Sequence, residues 1–260
     1  MLRSRISPCL LIHKDGLVKT VKFKAPKYVG DPINAVKIFN EKEVDELIVL
    51  DIDATVNNME PDFQRIKHLA NECRMPLCYG GGVRSVEQAK RIIQLGVEKV
   101  ALSSAALENH DLIKDIAEEV GRQSVVVILD VKRSLFGSYE VFTHNGKKKV
   151  KKSLKDIVIE LECNGVGEIV VNSIDQDGTM SGYDLALARL VRDISSVPLT
   201  ILGGVGSSDD IVGLIEEFKV IGASAGSLFV FKGKYRAVLI NYLPKYVLEK
   251  IKNISNKLYE

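Results

Sequence analysis

The first chemical signal in this 260-residue chain is a pair of glycine-rich turns, Tyr79-Gly80-Gly81-Gly82-Val83-Arg84-Ser85 and Leu202-Gly203-Gly204-Val205-Gly206-Ser207-Ser208. Each follows an apolar run opened by a proline, Pro76-Leu77-Cys78 or Pro198-Leu199-Thr200-Ile201, and each precedes a predicted amphipathic helix, Val86–Leu95 or Asp209–Phe218. Glycine between strand and helix lets backbone N–H groups close on a ligand. The helix N-terminus behind it adds free donors and positive partial charge, which suits phosphate. One such turn is common in α/β proteins. Two, about half a chain apart, point to a ligand with two anionic groups.

Titratable candidates fall at the ends of neighbouring apolar runs. Asp130 closes Val125-Val126-Val127-Ile128-Leu129, and a partly buried carboxyl there would have its pKa raised into the range useful for acid–base work. The competing reading is a structural acid paired with Lys132 or Arg133. Asp51 and Asp177 are equally compatible with ligand contact and with capping of their own loops. The anion-binding set is Gly81, Gly82, Ser103 and Ser104, with Asp177, Gly178, Gly203, Gly204, Gly226 and Ser227 from the second half.

The elements that must position these residues recur twice in the same order. A strand with aspartates, Leu47 to Asp53, precedes the first glycine turn, and Ile169 to Gly178 precedes the second. Small-residue runs follow them, Val100 to Ala106 and Ala223 to Phe229. Eight strands are predicted: Ile6–Ile12, Glu46–Ile52, Leu77–Tyr79, Lys99–Ser103, Ser124–Leu129, Glu168–Ser173, Leu199–Leu202 and Ala223–Leu228. They are continuously apolar, as parallel strands covered on both faces are, and they alternate with helices, which predicts a closed (β/α)8 TIM barrel. The half-chain repeat weighs against a doubly wound open sheet. The expected organisation is one domain over 1–260, with half-barrels at about 1–122 and 123–240 and a C-terminal helix, 245–258, packed on the outside through Val247, Leu248, Ile251 and Ile254.

Helix starts are marked by Asp31-Pro32, by Pro61 at a first helical position after Glu60, and by Ser85 with Gln88 as a capping box. Two segments break the rhythm. Val18 to Phe23 is long for a βα loop and suggests a lid. Ser138–Thr143 and Val150–Lys152 flank Asn145-Gly146, a hairpin signal, and Lys147, Lys148, Lys149, Lys151 and Lys152 make that hairpin basic. A solvated hairpin is the favoured reading over a nucleic-acid contact, because the whole chain carries a net charge of only +2. With 46% hydrophobic and 27% charged residues, composition predicts a globular chain with no membrane or nucleic-acid partner. Cys9, Cys73, Cys78 and Cys163 lack C-x-x-C spacing and are expected as reduced packing thiols. No cofactor and no metal is called for. The run Cys9–Ile12 is too short for a signal h-region, so a cytoplasmic setting is expected.

Taken together, Gly80-Gly81-Gly82-Val83-Arg84-Ser85, Asp177 to Asp184, Lys14-Asp15-Gly16-Leu17-Val18-Lys19 and Phe142-Thr143-His144-Asn145-Gly146 resemble the cyclase subunit of imidazole glycerol phosphate synthase, over nearly the whole chain from Arg5 to about Phe231. The resemblance implies a glutaminase docked on the barrel bottom and ammonia passing through the core. At the top it would meet a phosphoribulosyl aminoimidazole carboxamide nucleotide carrying two phosphates. It implies catalytic aspartates ending strands 1 and 5, with Lys19 acting on the substrate. Strand 5 keeps Asp130, but Leu11 occupies the first aspartate's position. Asp15 belongs to the loop motif and should point elsewhere. Leu202 and Ser103 stand where the family usually has Ser and Asn. The ammonia gate implied at the other end, Arg5, Glu46, Lys99 and Glu168, is complete.

An intact entrance with an altered exit resembles the second-copy relatives found in surface-polysaccharide gene clusters, as do the Leu10-Leu11-Ile12 strand, Val21 to Asp31 and Gly226 to Phe231. That likeness implies ammonia channelled from a glutaminase for amidination of a sugar, with a sugar amidotransferase as a further partner. The alternative is an authentic cyclase and lyase of histidine biosynthesis. A phosphosugar isomerase ranks last, since it too would need a second strand-end acid.

Overall fold

The computed structural model describes residues 3–256. Its centre is a closed ring of parallel strands: β1 (Arg5–His13), β2 (Leu47–Asp51), β3 (Leu77–Gly80), β4 (Lys99–Leu102), β5 (Val125–Arg133), β6 (Glu168–Ser173), β7 (Leu199–Leu202) and β8 (Gly222–Ala225). Each pairs with the next, and β8 pairs back onto β1 with Arg5 opposite Gly222. The expected (β/α)8 TIM barrel is therefore the fold. Its outer ring is α1 (Pro32–Glu41), α2 (Phe63–Glu72), α3 (Val86–Gln94), α4 (Asp111–Val120), α5 (Leu154–Cys163), α6 (Leu185–Ile194), α7 (Ser208–Phe218) and α8 (Lys245–Asn256).

Side chains on a strand alternate between faces, so the ring sorts its apolar residues into two cores. Val125, Val127, Leu129 and Val131 of β5 pack outward under the helices with Ile6, Leu10, Val49 and Ile169. Val126 and Ile128 point into the lumen with Cys9, Ile48, Cys78, Ala101, Val170 and Leu202. The same alternation sends Asp130, Asn172 and Leu11 inward at the top, and Arg5, Glu46, Lys99 and Glu168 inward at the bottom.

Several local expectations change on the structure. Helix α2 is capped by Asp62, whose carboxylate accepts the Arg65 N–H, so Pro61 lies before the cap and not at the first helical position. At α3 the Ser85 side chain accepts from the Gln88 N–H, but the Gln88 side-chain Oε1 accepts from Arg84 N–H, one residue ahead of the cap; the full reciprocal box occurs at α7, between Ser207 and Asp210. The last strand stops at Ala225, not Leu228, because Gly226 and Ser227 open a short helix, Ser227–Val230. Strand β5 starts after Ser124 and runs on to Arg133 because the hairpin strand Tyr139–Thr143 pairs with that extension.

The two rhythm-breaking segments are hairpins. Gly16–Val21 pairs with the end of β1 and with Lys24–Gly30, so the expected lid loop is a continuation of the sheet. The second hairpin turns at His144-Asn145-Gly146, all at positive φ. Three of its five lysines are paired, Lys148 with Glu108, Lys149 with Glu140 and Lys152 with Glu160. The two hairpins meet over the barrel mouth, where the Phe23 ring lies against Gly146 and the Asn145 amide donates to the Ile52 carbonyl.

Helix α8 packs against the barrel exterior through Val247 and Ile251, as expected, and Lys250 pairs with Glu216 of α7 at 3.1 Å. The predicted last turn, Lys257 and Leu258, lies outside the described residues. Replacing Ile251 by Ala should cost about 2–3 kcal/mol through lost burial and the cavity left behind, read as a lower midpoint in urea unfolding. An unchanged midpoint would mean that α8 contributes nothing to the barrel.

Candidate functional site

A cavity of about 260 Å³ opens at the C-terminal ends of the strands. Its floor is apolar, formed by Leu11, Leu50, Ile128 and Leu202, and Asp130 and Asn172 are the polar groups set into it. The Asn172 amide N–H donates to Asp130 Oδ1 at 2.9 Å. Burial pushes the Asp130 carboxyl up to about 7, against the stabilising Asn172 hydrogen bond and with a further push from the Asp177 charge. The pairing considered with Lys132 or Arg133 is not formed; Asp130 turns inward, and both cations are exposed beyond it. A carboxyl poised near neutrality can both give and take a proton.

Leu11 faces the same cavity from β1. The other carboxylates of the cavity lining, Asp51, Asp177 and Glu108, are each bound to loop or hairpin groups, and Asp15, exposed, is held by Arg65. Lys19 reaches in from the first hairpin, 6% exposed, with its amine donating to the Cys9 carbonyl oxygen. It has no carboxylate at ion-pair distance among the described residues, and burial lowers its pKa. Its amine rests on Gly226, where a side-chain carbon would overlap it.

The anion-binding candidates form two groups on opposite sides of the mouth. Gly81, Gly82, Ser103 and Ser104 follow β3 and β4, while Gly203, Gly204, Gly226 and Ser227 follow β7 and β8; all line the cavity. Gly81 at φ +125° lies against the Asp51 backbone, and Gly203 at φ +99° lies 2.8 Å, measured from an added Cβ, from the Ser173 carbonyl. Both positions therefore require glycine for the strand crossing itself, whatever else they bind. Asp177 and Gly178 hold the first hairpin. Asp177 Oδ2 accepts from Thr20 Oγ1 at 2.8 Å and from Phe23 N–H at 3.1 Å, and the Gly178 backbone abuts the Thr20 carbonyl. Asp51 caps its own loop, accepting from the Asp53 and Ala54 N–H groups.

At the opposite end, the four expected gate residues meet as a ring. Arg5 lies 2.8 Å from Glu168 and 3.9 Å from Glu46, and Lys99 reaches Glu46 at 2.6 Å and Glu168 at 2.8 Å. Remaining acceptor capacity is filled by Ser7 on Glu46 and Thr200 on Glu168. Burial alone would raise the Glu168 pKa, but the Arg5 and Lys99 charges hold it below its ordinary value. Alternating signs make such a buried ring tolerable. Between ring and mouth the lumen is lined by Cys9, Ile48, Cys78, Ala101, Val126 and Val170, and burial keeps both thiols protonated, Cys9 at about 11.

Asn172 escapes a motif-based reading. Its signal was available, since Glu168, Val170 and Asn172 share one face of β6. Ser7 and Thr200 were missed for the same reason, and His144, which also lines the mouth, sits on a turn whose direction only the fold sets.

These features define a TIM-barrel protein with a buried charge ring at its base and a cavity at its mouth lined by two glycine-rich groups. The chain belongs to the family described as histidine biosynthesis protein, which matches residues 5–236. It is 60% identical, over 93% of this chain and 94% of the relative, to a Vibrio vulnificus protein provisionally named imidazole glycerol phosphate synthase subunit hisF3. A Pseudomonas aeruginosa protein provisionally named subunit hisF2 of the same synthase is 52% identical over 93% and 96%. The imidazole glycerol phosphate synthase subunit HisF of Streptococcus sanguinis is 40% identical over 88% and 91%. The chain is thus HisF-like. No described helix is long and apolar enough to cross a membrane.

Two expected outcomes follow. A carboxyl raised from 3.8 to about 7 binds its proton more tightly when folded, so ionising it costs stability progressively between those pH values. Asp130→Asn should leave stability nearly unchanged at pH 4 and raise it by up to about 4 kcal/mol at pH 8, measured by urea unfolding at both pH values; a pH-independent difference would contradict the buried carboxyl. Lys99→Met leaves Glu46 and Glu168 without their shared cation and should cost about 3–5 kcal/mol. A loss below 1 kcal/mol by the same assay would mean the ring is solvated.

Proposed function

We propose that this chain is the barrel subunit of a glutamine amidotransferase complex. It takes ammonia from a glutaminase docked over the ring Arg5, Glu46, Lys99 and Glu168 and delivers it to a phosphorylated or sugar-type ligand at the mouth. The observation that carries this reading is the contrast between the barrel's two ends. The base keeps a complete, hydrogen-bonded charge ring, while the mouth has Leu11 where the family's first catalytic acid would stand. Neutral ammonia can cross an apolar lumen that an ammonium ion would have to enter unsolvated.

Formation of a C–N bond at the mouth requires proton transfers as ammonia adds and the displaced oxygen leaves. Asp130, held by Asn172 and poised near neutrality, supplies one transferring group. A leucine supplies none, which supports an acceptor other than the imidazole precursor. Amidination of a sugar in surface-polysaccharide biosynthesis, with a sugar amidotransferase partner, fits that change. In this reading the subunit works in the cytoplasm, as one barrel with a glutaminase in a heterodimer.

The second reading is the authentic cyclase and lyase, yielding imidazole glycerol phosphate and aminoimidazole carboxamide ribotide. Retention of Asp130, Lys19 and both glycine-lined anion groups favours it, as does the name of the Streptococcus sanguinis relative. The deciding experiment is turnover of the phosphoribulosyl precursor with ammonium salt, wild type against Leu11→Asp, beside a binding titration with the glutaminase of the same cell. The conduit reading expects the wild type to be slower than Leu11→Asp by ~10²–10⁴-fold, with tight glutaminase binding by both. Fast wild-type turnover would establish the cyclase, and failure of every glutaminase to bind would remove both complexes.

A further inference from the structure

The amine of Lys19 is buried in the mouth without a counter-ion, and we propose that it forms an imine with the carbonyl group of a phosphorylated ketose held there. The proposal rests on the mouth being an anionic-ligand site and does not depend on the glutaminase.

A lysine whose task is only to attract phosphate works best fully charged and accessible. Lys19 is neither. Its side chain is 6% exposed, and its only hydrogen-bond partner among the described residues is the neutral Cys9 carbonyl. Its nearest anionic neighbour, Asp177, is already occupied by Thr20 and Phe23. The cavity floor is the apolar set Leu11, Leu50, Ile128 and Leu202. Burial against an apolar floor with no paired carboxylate disfavours the ammonium form, against the Asp177 charge and the Cys9 carbonyl, and burial of that kind is how nucleophilic lysines are prepared. The lost aspartate sharpens the point, because a carboxylate at position 11 would have put a negative charge on this floor, whereas Leu11 leaves the amine unpaired.

Placement matters as much as protonation. Lys19 is carried on a hairpin strand tied to β1 by pairing of Leu11 with Val18, and clamped at its far end by Asp177. Its amine lies against Gly226, beside the Gly203, Gly204 and Ser227 group that would hold a phosphate. A ketose phosphate anchored there keeps its carbon chain within the same cavity.

The chemistry balances without an added oxidant or reductant. The neutral amine attacks the ketose carbonyl carbon, the proton passes from nitrogen to oxygen, and water leaves as the C=N bond forms. Asp130, in its protonated form, faces the same cavity and can protonate the departing hydroxyl. Ammonia arriving by the lumen can then displace the lysine, giving the substrate imine and the free amine.

The test is borohydride trapping. The full-length protein is incubated with D-ribulose 5-phosphate and sodium borohydride, and intact mass and peptide maps are read. The expected product is one adduct on Lys19, heavier by the ketose phosphate less one oxygen. It should be suppressed by excess inorganic phosphate and absent from Lys19→Arg, and its formation should rise through a midpoint below that of an exposed lysine. Cooperative urea unfolding of Lys19→Arg serves as the check that the barrel is intact. No adduct in the wild type, or adducts spread over surface lysines and unchanged in Lys19→Arg, would overturn the proposal. Trapping without any glutaminase binding would leave the imine standing and sink the conduit; glutaminase binding without trapping would do the reverse.

Discussion

A closed parallel barrel gives each strand residue two destinations, the lumen or the shell beneath the helices, and the choice alternates along the chain. That constraint organises everything chemical in this molecule. Glu168, Val170 and Asn172 lie on one inward line of β6, and Arg5, Ser7, Cys9 and Leu11 on one inward line of β1. The charge ring, the apolar lumen and the mouth cavity are therefore successive levels of the same side-chain column. A register slip of one residue in β1, β4, β5 or β6 would exchange a ring charge or Asp130 for a core aliphatic. The outward core, from Ile6 and Val127 to Ile169, is what makes such a slip costly.

Electrostatics then separates the two ends. At the base, two cations and two carboxylates lie within hydrogen-bond reach of one another, and hydroxyls satisfy what remains. Their mutual neutralisation allows four charges to sit at the end of an apolar lumen. At the mouth, the charged groups are held apart. Asp130 and Lys19 are each buried without a charged partner at ion-pair distance, so burial pushes each toward its uncharged form, against the hydrogen bonds from Asn172 and to Cys9. One end is arranged to keep protons fixed and the other to let them move. Restoring an acid at position 11 would change the balance of the mouth alone.

The barrel and its eight strands were legible because each follows from a repeating pattern, continuous apolar runs and glycine turns at equal offset, whereas the four charges of the basal ring were picked out through the family resemblance. What escaped depends on direction, which composition does not carry. The strand expected through Leu228 stops at Ala225 because a small-residue run reads alike as strand and as the start of a short helix. The lid expected at Val18 to Phe23 is paired sheet because its partner, Lys24–Gly30, contains a proline and lysines that disguise a strand. Asp177 read equally as a ligand contact or a loop cap; it lines the cavity, and its Oδ2 accepts from Thr20 and Phe23, residues more than a hundred positions away.

That last clamp bears on how the mouth works. The hairpin carrying Lys19 is joined to β1 at one end and held by the Asp177 carboxylate at the other, and its Phe23 touches the second hairpin at Gly146. Burial raises the Asp177 pKa, against the Thr20 and Phe23 hydrogen bonds, so the clamp depends on those bonds to remain ionised. Position of the lysine, closure of the two hairpins and charge on Asp177 are consequently one coupled arrangement. A ligand that separates Phe23 from Gly146 would loosen Lys19 as well. An anion beside Gly203 and Gly226 would instead favour its ammonium form. Occupancy of the phosphate group thus acts against the neutral amine, unless the ligand brings a carbonyl that captures the amine when its proton is lost.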